Sequence, residues 1–256
     1  YDEDLVKDAS FKQYAAYASL MDFAVGQIVE FLERTSQREN TIIVFSSDNG
    51  AIGSASLGSA NQYPGKQKAS PRMGSNLPFR GWKAELYEGG IRTPTAINWK
   101  GTLLPGQMNQ PVHVVDWMPT FSKLLGIDPL INPRWDGEDI WPLITGRKEP
   151  TNDRDIYWNF RAGSGLCVRS GDWKFISSGP TIFDTLSFHK DPEILGKDHR
   201  QLELFNITED PAEENNLAEE NLRKVKEMTS LMSGNLSLDY TDERKDLSDY
   251  SDEVNI

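Results

Sequence analysis

Asp48-Asn49-Gly50 sets a carboxylate beside an amide oxygen, just past the apolar run Thr41-Ile42-Ile43-Val44-Phe45-Ser46. In open α/β sheets, ligand sites lie beyond the carboxyl ends of strands. Two hard oxygen donors suit calcium or magnesium rather than a soft metal. Calcium takes roughly 6–8 oxygens, so the pair is part of a ligand set and not the whole of it. The same tripeptide also makes a good turn. Downstream the charge reverses: between Asn61 and Arg92 the bases Lys66, Lys68, Arg72, Arg80, Lys83 and Arg92 face only Glu85 and Glu88. A basic loop beside a metal-bearing strand end draws anions such as sulfate or phosphate. For any single lysine, a solvated loop is the plainer reading.

Other reactive types are sparse. Cys167 is the only cysteine, so no disulfide closes within the chain and redox compartment is not readable from pairing. His113, His189 and His199 are the only histidines, and none sits in a cluster with metal-ligand spacing. Each reads as a structural or surface residue. Trp82, Trp135 and Trp141 are candidates to line a sugar site, but burial is the commoner use of large aromatics.

The elements that must position these residues follow from periodicity. Ser10 with Gln13 forms a capping box, and Phe11, Tyr14, Ala18, Met21, Val25, Ile28 and Leu32 recur at helical spacing, which predicts a helix from Ser10 to about Arg34. The unbroken run Thr41 to Ser46 predicts a strand buried on both faces, as in a parallel sheet. Asp48 to about Arg92 is a long irregular stretch of the kind that is functional or disordered. Thr95 to Trp99 reads as a second strand and His113-Val114-Val115 as a short third. Asp116 is the expected N-cap of a helix over Trp117 to Leu125, ended by Gly126. From about Thr151 the texture changes to short aromatic and β-branched runs: Ile156 to Phe160, Leu166 to Arg169, Trp173 to Ile176 and Glu203 to Asn206. Ser170-Gly171-Asp172 is a hairpin turn among them. These predict a small antiparallel sheet, covered by an amphipathic helix from Leu217 to Met232. The tail from Asp239 alternates acids with Ser and Tyr and reads as disordered.

Composition bounds the function. The 256 residues are 38% hydrophobic, enough for a sizeable core, which excludes wholesale disorder. A net charge of -12 argues against nucleic acid as the main partner. No apolar run approaches the ~20 residues that a membrane span requires. One long helix and two or three strands are too few for a doubly wound sheet, although Thr41 to Ser46 reads as an interior strand. The expectation is a portion of a larger α/β protein.

Taken together, Ser47-Asp48-Asn49-Gly50, Pro78-Phe79-Arg80-Gly81-Trp82-Lys83 and Tyr87-Glu88-Gly89-Gly90-Ile91-Arg92-Thr93-Pro94 closely resemble the formylglycine-dependent sulfatases of arylsulfatase type. The resemblance continues through Val112 to Thr120, Asp136-Gly137-Glu138-Asp139, Leu204-Phe205-Asn206-Ile207, Asp210-Pro211, Glu213 and Asn216-Leu217. It implies an alkaline-phosphatase-like α/β fold: part of a large mixed sheet with flanking helices over residues 1–150, a small antiparallel subdomain over 151–238, and an acidic tail over 239–256. It implies that Asp48 and Asn49 are divalent-cation ligands, usually for calcium, and that Lys83 contacts the substrate's sulfate and acts in catalysis. Glu88-Gly89-Gly90 and Arg92 belong to the same pattern, the glycines permitting close backbone approach and Arg92 reading as a structural ion pair.

The resemblance further implies a Cys-x-Pro-x-Arg or Ser-x-Pro-x-Arg motif whose first residue becomes formylglycine. Cys167 lacks the proline. Asn76-Leu77-Pro78-Phe79-Arg80 has the Pro and Arg spacing, but Asn is neither oxidisable to the aldehyde nor nucleophilic, so the match reads as coincidence. The expectation is therefore a C-terminal portion of a sulfatase, inactive alone, whose partner is the upstream part of the same catalytic domain. The substrate class would be an aryl sulfate or a sulfated glycan, with no nucleic acid and no membrane span. One rival is a phosphodiesterase-type member of the alkaline phosphatase superfamily, which typically shows Asp-His-Gly where Asp48-Asn49-Gly50 stands. The other is a non-catalytic sulfatase remnant. Asn206-Ile207-Thr208 and Asn235-Leu236-Ser237 are acceptor sequons for N-glycosylation, and with the resemblance they point to a lysosomal, secreted or extracellular glycoprotein.

Overall fold

The computed structural model describes residues 9–52, 74–127, 135–151, 153–160, 165–178 and 201–239. The chain divides into two compact units: Tyr1–Asn152 with Pro211–Glu213, and Asp153–Asp210 with Glu214–Ile256.

In the first unit, helix α1 (Ala9–Arg34) leads through a 3-10 turn (Arg38–Asn40) into β1 (Ile42–Ser46). Ser10 lies inside α1, not ahead of it as a cap. β1 pairs antiparallel with β2 (Thr95–Trp99), with Ile42 opposite Trp99 and Ser46 opposite Thr95. This departs from the expectation of a strand covered on both faces. Val44 and Phe45 are 37% and 38% exposed, because a two-stranded ribbon has too little surface of its own to cover them.

α1 is amphipathic as its spacing requires, yet its apolar stripe meets solvent. Tyr14, Tyr17, Leu20, Met21, Phe23, Ile28 and Phe31 are all exposed, and Leu32 is its one buried apolar residue among those described. By length and composition alone, the 21-residue segment Tyr14–Arg34 is long and apolar enough to cross a membrane, with an 18-residue window of mean hydropathy 1.2. That corrects the reading that no segment reaches such a length. Asp22, Gln27 and Glu30 interrupt the apolar run without lowering its average enough.

The described residues on either side of β2 are loop and short helix: α2 (Glu88–Ile91) precedes β2, and α3 (Trp117–Leu124) and α4 (Trp141–Ile144) follow it. His113-Val114-Val115 is not a strand. Val114–Asp116 is a 3-10 turn capped by His113, whose Nδ1 accepts from the Val115 N–H at 3.4 Å. The cause is Asp116, fully buried, whose carboxylate accepts from the His113 N–H at 2.7 Å and the Glu138 N–H at 3.1 Å. Its oxygens are thereby engaged behind and across the chain, so Asp116 makes no side-chain cap for α3.

The second unit is a meander of β3 (Asp155–Phe160), β4 (Gly165–Ser170), β5 (Trp173–Ser178) and β6 (Gln201–Asn206), antiparallel throughout in the order β3-β4-β5-β6. The β4–β5 turn places Gly171 at φ 59, a left-handed value that glycine takes without steric cost. α5 (Leu222–Asp239) packs on β4 and β5. Leu166, Val168, Phe175 and Leu204 from one sheet face meet Ala218, Met228 and Met232 in a closed core. The helix starts later than Leu217 because the preceding segment is pinned along β6. Leu217 N–H donates to Leu204 O at 2.8 Å, and the Asn216 amide accepts from Leu204 N–H and donates to Leu202 O. The acidic stretch from residue 240 lies outside the described residues.

Candidate functional site

The site is built in the first unit where β1 ends. Ser46 faces Thr95 across the ribbon, and Ser47 N–H donates to Pro94 O at 3.2 Å, extending the pairing by one step. The chain then turns over α2. Gly50 N–H donates to Gly90 O at 3.0 Å, and a Cβ on Gly50 would stand 1.7 Å from Gly89 O. No other residue fits at 50 without moving backbone, while Gly89 and Gly90 are required by their own close approaches to the carbonyls of Arg80, Gly81, Trp82 and Glu85. The Ser47 hydroxyl donates to Asn49 O at 3.0 Å and closes the turn. Asp48 stays exposed and Asn49 half-buried. Among the described residues no hydrogen bond or ion pair engages either side chain.

Lys83 arrives from a separate loop. Its N–H donates to Ala51 O at 2.9 Å, which joins the lysine's backbone to the strand-end turn two residues past Asn49. Its side chain is exposed. The Asn76 amide spans the two loops: Oδ1 accepts from Ala51 N–H at 2.8 Å, and Nδ2 donates to Gly81 O at 2.8 Å. Glu85 accepts from Trp82 N–H at 3.0 Å and tightens the Lys83 turn. A cavity of about 320 Å³ opens beside this cluster, lined in part by Asn76, Phe79, Gly89 and Arg92.

The remaining bases of the loop divide. Arg80 is exposed but held: it lies over the Tyr87 ring at 3.9 Å and donates to the Tyr87 hydroxyl at 3.1 Å and to Glu213 O at 3.0 Å. Glu213 is fully buried, with φ 57, and its carboxylate accepts from Glu88 N–H at the start of α2 at 2.6 Å. Arg92 pairs with Glu88 at 3.7 Å and stacks over Phe79 at 4.5 Å. Lys83, Arg80 and Arg92 are all exposed, but the two arginines are tied to neighbouring rings and to Glu213 and Glu88. Lys66, Lys68 and Arg72 lie outside the described residues, as do His189 and His199.

Of the residues singled out by sequence, Asp48, Asn49 and Lys83 fall in one loop cluster. Asn206 ends β6 in the second unit, where its Oδ1 accepts from Thr208 N–H at 3.2 Å. The side chain of Asn235 lies outside the described residues. Cys167 is buried in β4. Trp141 packs against Trp99 at 5.7 Å between ring centroids. Asn76 and Glu213 are the positions whose roles residue types did not show. Asn76 had a visible signal in its Pro and Arg spacing, but the signal pointed to the wrong chemistry. Glu213 was marked by the resemblance through Asp210-Pro211, Glu213 and Asn216-Leu217, but its partner Glu88 is more than a hundred residues away in sequence and nothing local named it.

Among the described residues no three of His, Cys, Asp and Glu come together. Asp48 and Asn49 suit a hard cation by donor type, and a full shell would draw its other oxygens from elsewhere.

A family model described as Sulfatase matches residues 2–127. Steryl-sulfatase of Rattus norvegicus is 36% identical over 138 residues, which are 54% of this chain and 22% of that protein. Arylsulfatase A of Homo sapiens is 29% identical over 205 residues, 77% of this chain and 37% of that protein. The solved structure of Ps i-CgsB in complex with k-i-k-neocarrahexaose shares the fold at a TM-score of 0.68 and 27% identity, over 91% of this chain and 46% of that one. The chain spans less than half the length of the relatives it matches.

Proposed function

The chain belongs to the sulfatase family, and from that premise we propose that the whole protein hydrolyses sulfate esters, with Asp48 and Asn49 as two ligands of a divalent cation and Lys83 on the sulfate. Calcium is the cation that best suits a carboxylate and an amide oxygen. The observation that carries the reading is the hydrogen bond from Lys83 N–H to Ala51 O at 2.9 Å, which holds a mobile-charge residue and a hard-donor pair on one backbone junction.

The cation would polarise the sulfate, and a formylglycine from sequence upstream of this chain would supply the attacking hydrate oxygen. The work left to this chain is binding and orientation. Asp48 and Asn49 present oxygens from a turn that Gly50 seats against Gly89 and Gly90, so their backbone does not have to reorganise on binding. Lys83 brings a point charge with three donors to sulfate oxygens, whose negative charge shifts as the ester S–O bond breaks.

In the full-length protein, Lys83→Ala should lower kcat for a sulfate ester by about 10²–10³-fold, with the thermal transition unmoved. Undiminished turnover would overturn the assignment. This chain alone is expected to be inactive. Asn49 speaks against the phosphodiesterase alternative, because an amide oxygen is a poor zinc ligand beside imidazole. A protein that turned over phosphate diesters faster than sulfate esters would reverse that preference, and one with neither activity would be the non-catalytic remnant.

Three further readings rest on the same premise. The apolar stripe of α1 and the exposed Val44 and Phe45 of β1 are covered in the whole protein by further polypeptide of the same α/β domain. The substrate is an aryl sulfate or a sulfated glycan. The sequons at Asn206 and Asn235 carry N-glycans in a lysosomal or secreted protein.

A further inference from the structure

We infer that Asn76 is a positioning residue for sulfate-ester hydrolysis: its amide clamps the loop that carries Asp48 and Asn49 to the loop that carries Lys83. The inference rests on the roles proposed for those three residues, and extends them to a position that residue type alone assigns no chemistry.

The geometry is specific. Asn76 Oδ1 accepts from Ala51 N–H at 2.8 Å, and Nδ2 donates to Gly81 O at 2.8 Å and lies 3.4 Å from Ala51 O. Both polar ends of one amide are thus committed to backbone, one on each loop. Ala51 is also the residue whose carbonyl receives Lys83 N–H at 2.9 Å. Ala51 therefore carries both links: its N–H reaches Asn76, and its C=O reaches Lys83. Gly81, the other end of the clamp, stands two residues before Lys83 and has φ 88.

Asn76 is itself held. Phe79 N–H donates to Asn76 O at 2.8 Å, and Leu77 N–H donates to the Ser75 hydroxyl at 3.3 Å, so the amide projects from a closed turn. Its carbonyl and amino groups match an N–H and a C=O that would otherwise lack partners in a half-buried place. Aspartate has the same shape but lacks the donor to Gly81 O, and alanine lacks both. A displacement of about 1 Å between a charge and its target costs up to about 10²-fold in rate, which sets the scale expected when the two loops come apart.

The test uses two measurements. In the full-length enzyme, Asn76→Ala should lower kcat for a sulfate ester by about 10–10²-fold, Asn76→Asp should lose less, and Asn76→Ala combined with Lys83→Ala should be no slower than Lys83→Ala alone. Losses that multiply, or an Asn76→Ala enzyme with full kcat, overturn the inference. Independently of activity, hydrogen exchange in this chain should speed at the Ala51 and Lys83 amides in Asn76→Ala while the β1–β2 amides keep their protection. Unchanged exchange at both amides overturns the clamp, and equal loss across β1–β2 shows a folding role instead, which also overturns it. If Lys83→Ala alone leaves turnover intact, the proposed role of Lys83 fails. The exchange result then decides whether the clamp exists, and without a catalytic Lys83 the positioning role falls with it.

Discussion

The two units hold their side chains by different means. In the second, Val168, Phe175, Leu204 and Met228 are wholly buried in one apolar cluster between sheet and helix. In the first, the residues around Asp48 and Lys83 are held by backbone hydrogen bonds, two side-chain carboxylates and one amide, while the apolar stripe of α1 stays exposed. The difference separates two jobs. A closed apolar core stabilises without caring which polar groups sit above it. A cluster of loops keeps exposed donors at fixed spacing, and for that directional bonds between backbone groups are the effective means.

The comparison can be broken at its ends. The largest effect on stability is expected from Phe175→Ala, which should cost about 3–5 kcal/mol and show as lost amide protection across β4, β5 and β6. Retained protection there would mean the core is not what holds the second unit. Next comes Gly50→Ala, where the new Cβ meets Gly89 O. The loop must open at a cost of about 1–3 kcal/mol, and divalent-cation affinity measured by calorimetry in the full-length protein should fall with it. Unchanged affinity would detach the Gly50 contact from the cation ligands. The smallest effect should come from Phe23→Ser on exposed α1. In this chain it should change stability by less than about 0.5 kcal/mol, measured by denaturant melts. A large loss would show that the stripe is already covered.

Much of the second unit was legible because short aromatic and β-branched runs parted by a turn announce antiparallel strands locally, although the burial of both faces of β4 and β5 was not readable from them. The runs Leu166 to Arg169 and Trp173 to Ile176, with a Gly-Asp turn between them, need no distant information to be read as a hairpin. The first unit was legible in its residues and less so in their relations. The apolar run Thr41 to Ser46 was readable as a strand, but the direction of its partner was not, since β1 and β2 are separated by nearly fifty residues of chain. Asp116 looked like a helix cap by position. Its carboxylate instead goes to His113 and Glu138, a competition that only the folded loop decides.

Asn76 marks the limit most clearly. The sequence by itself determined which residues are candidates to bear chemistry: the oxygen pair and the glycines by residue type and short spacing, and Lys83 by the family resemblance. Asp48, Asn49, Lys83, Gly50 and Gly89 were all visible there. The tertiary structure alone decided which of them meet and what fastens them: Asn76 across two loops, and Glu213 on the start of α2 from the far end of the chain. The reason is physical. Residue type sets what a group can donate or accept, whereas a hydrogen bond between distant segments depends on distances within a few tenths of an ångström, and those exist only once the chain has closed on itself.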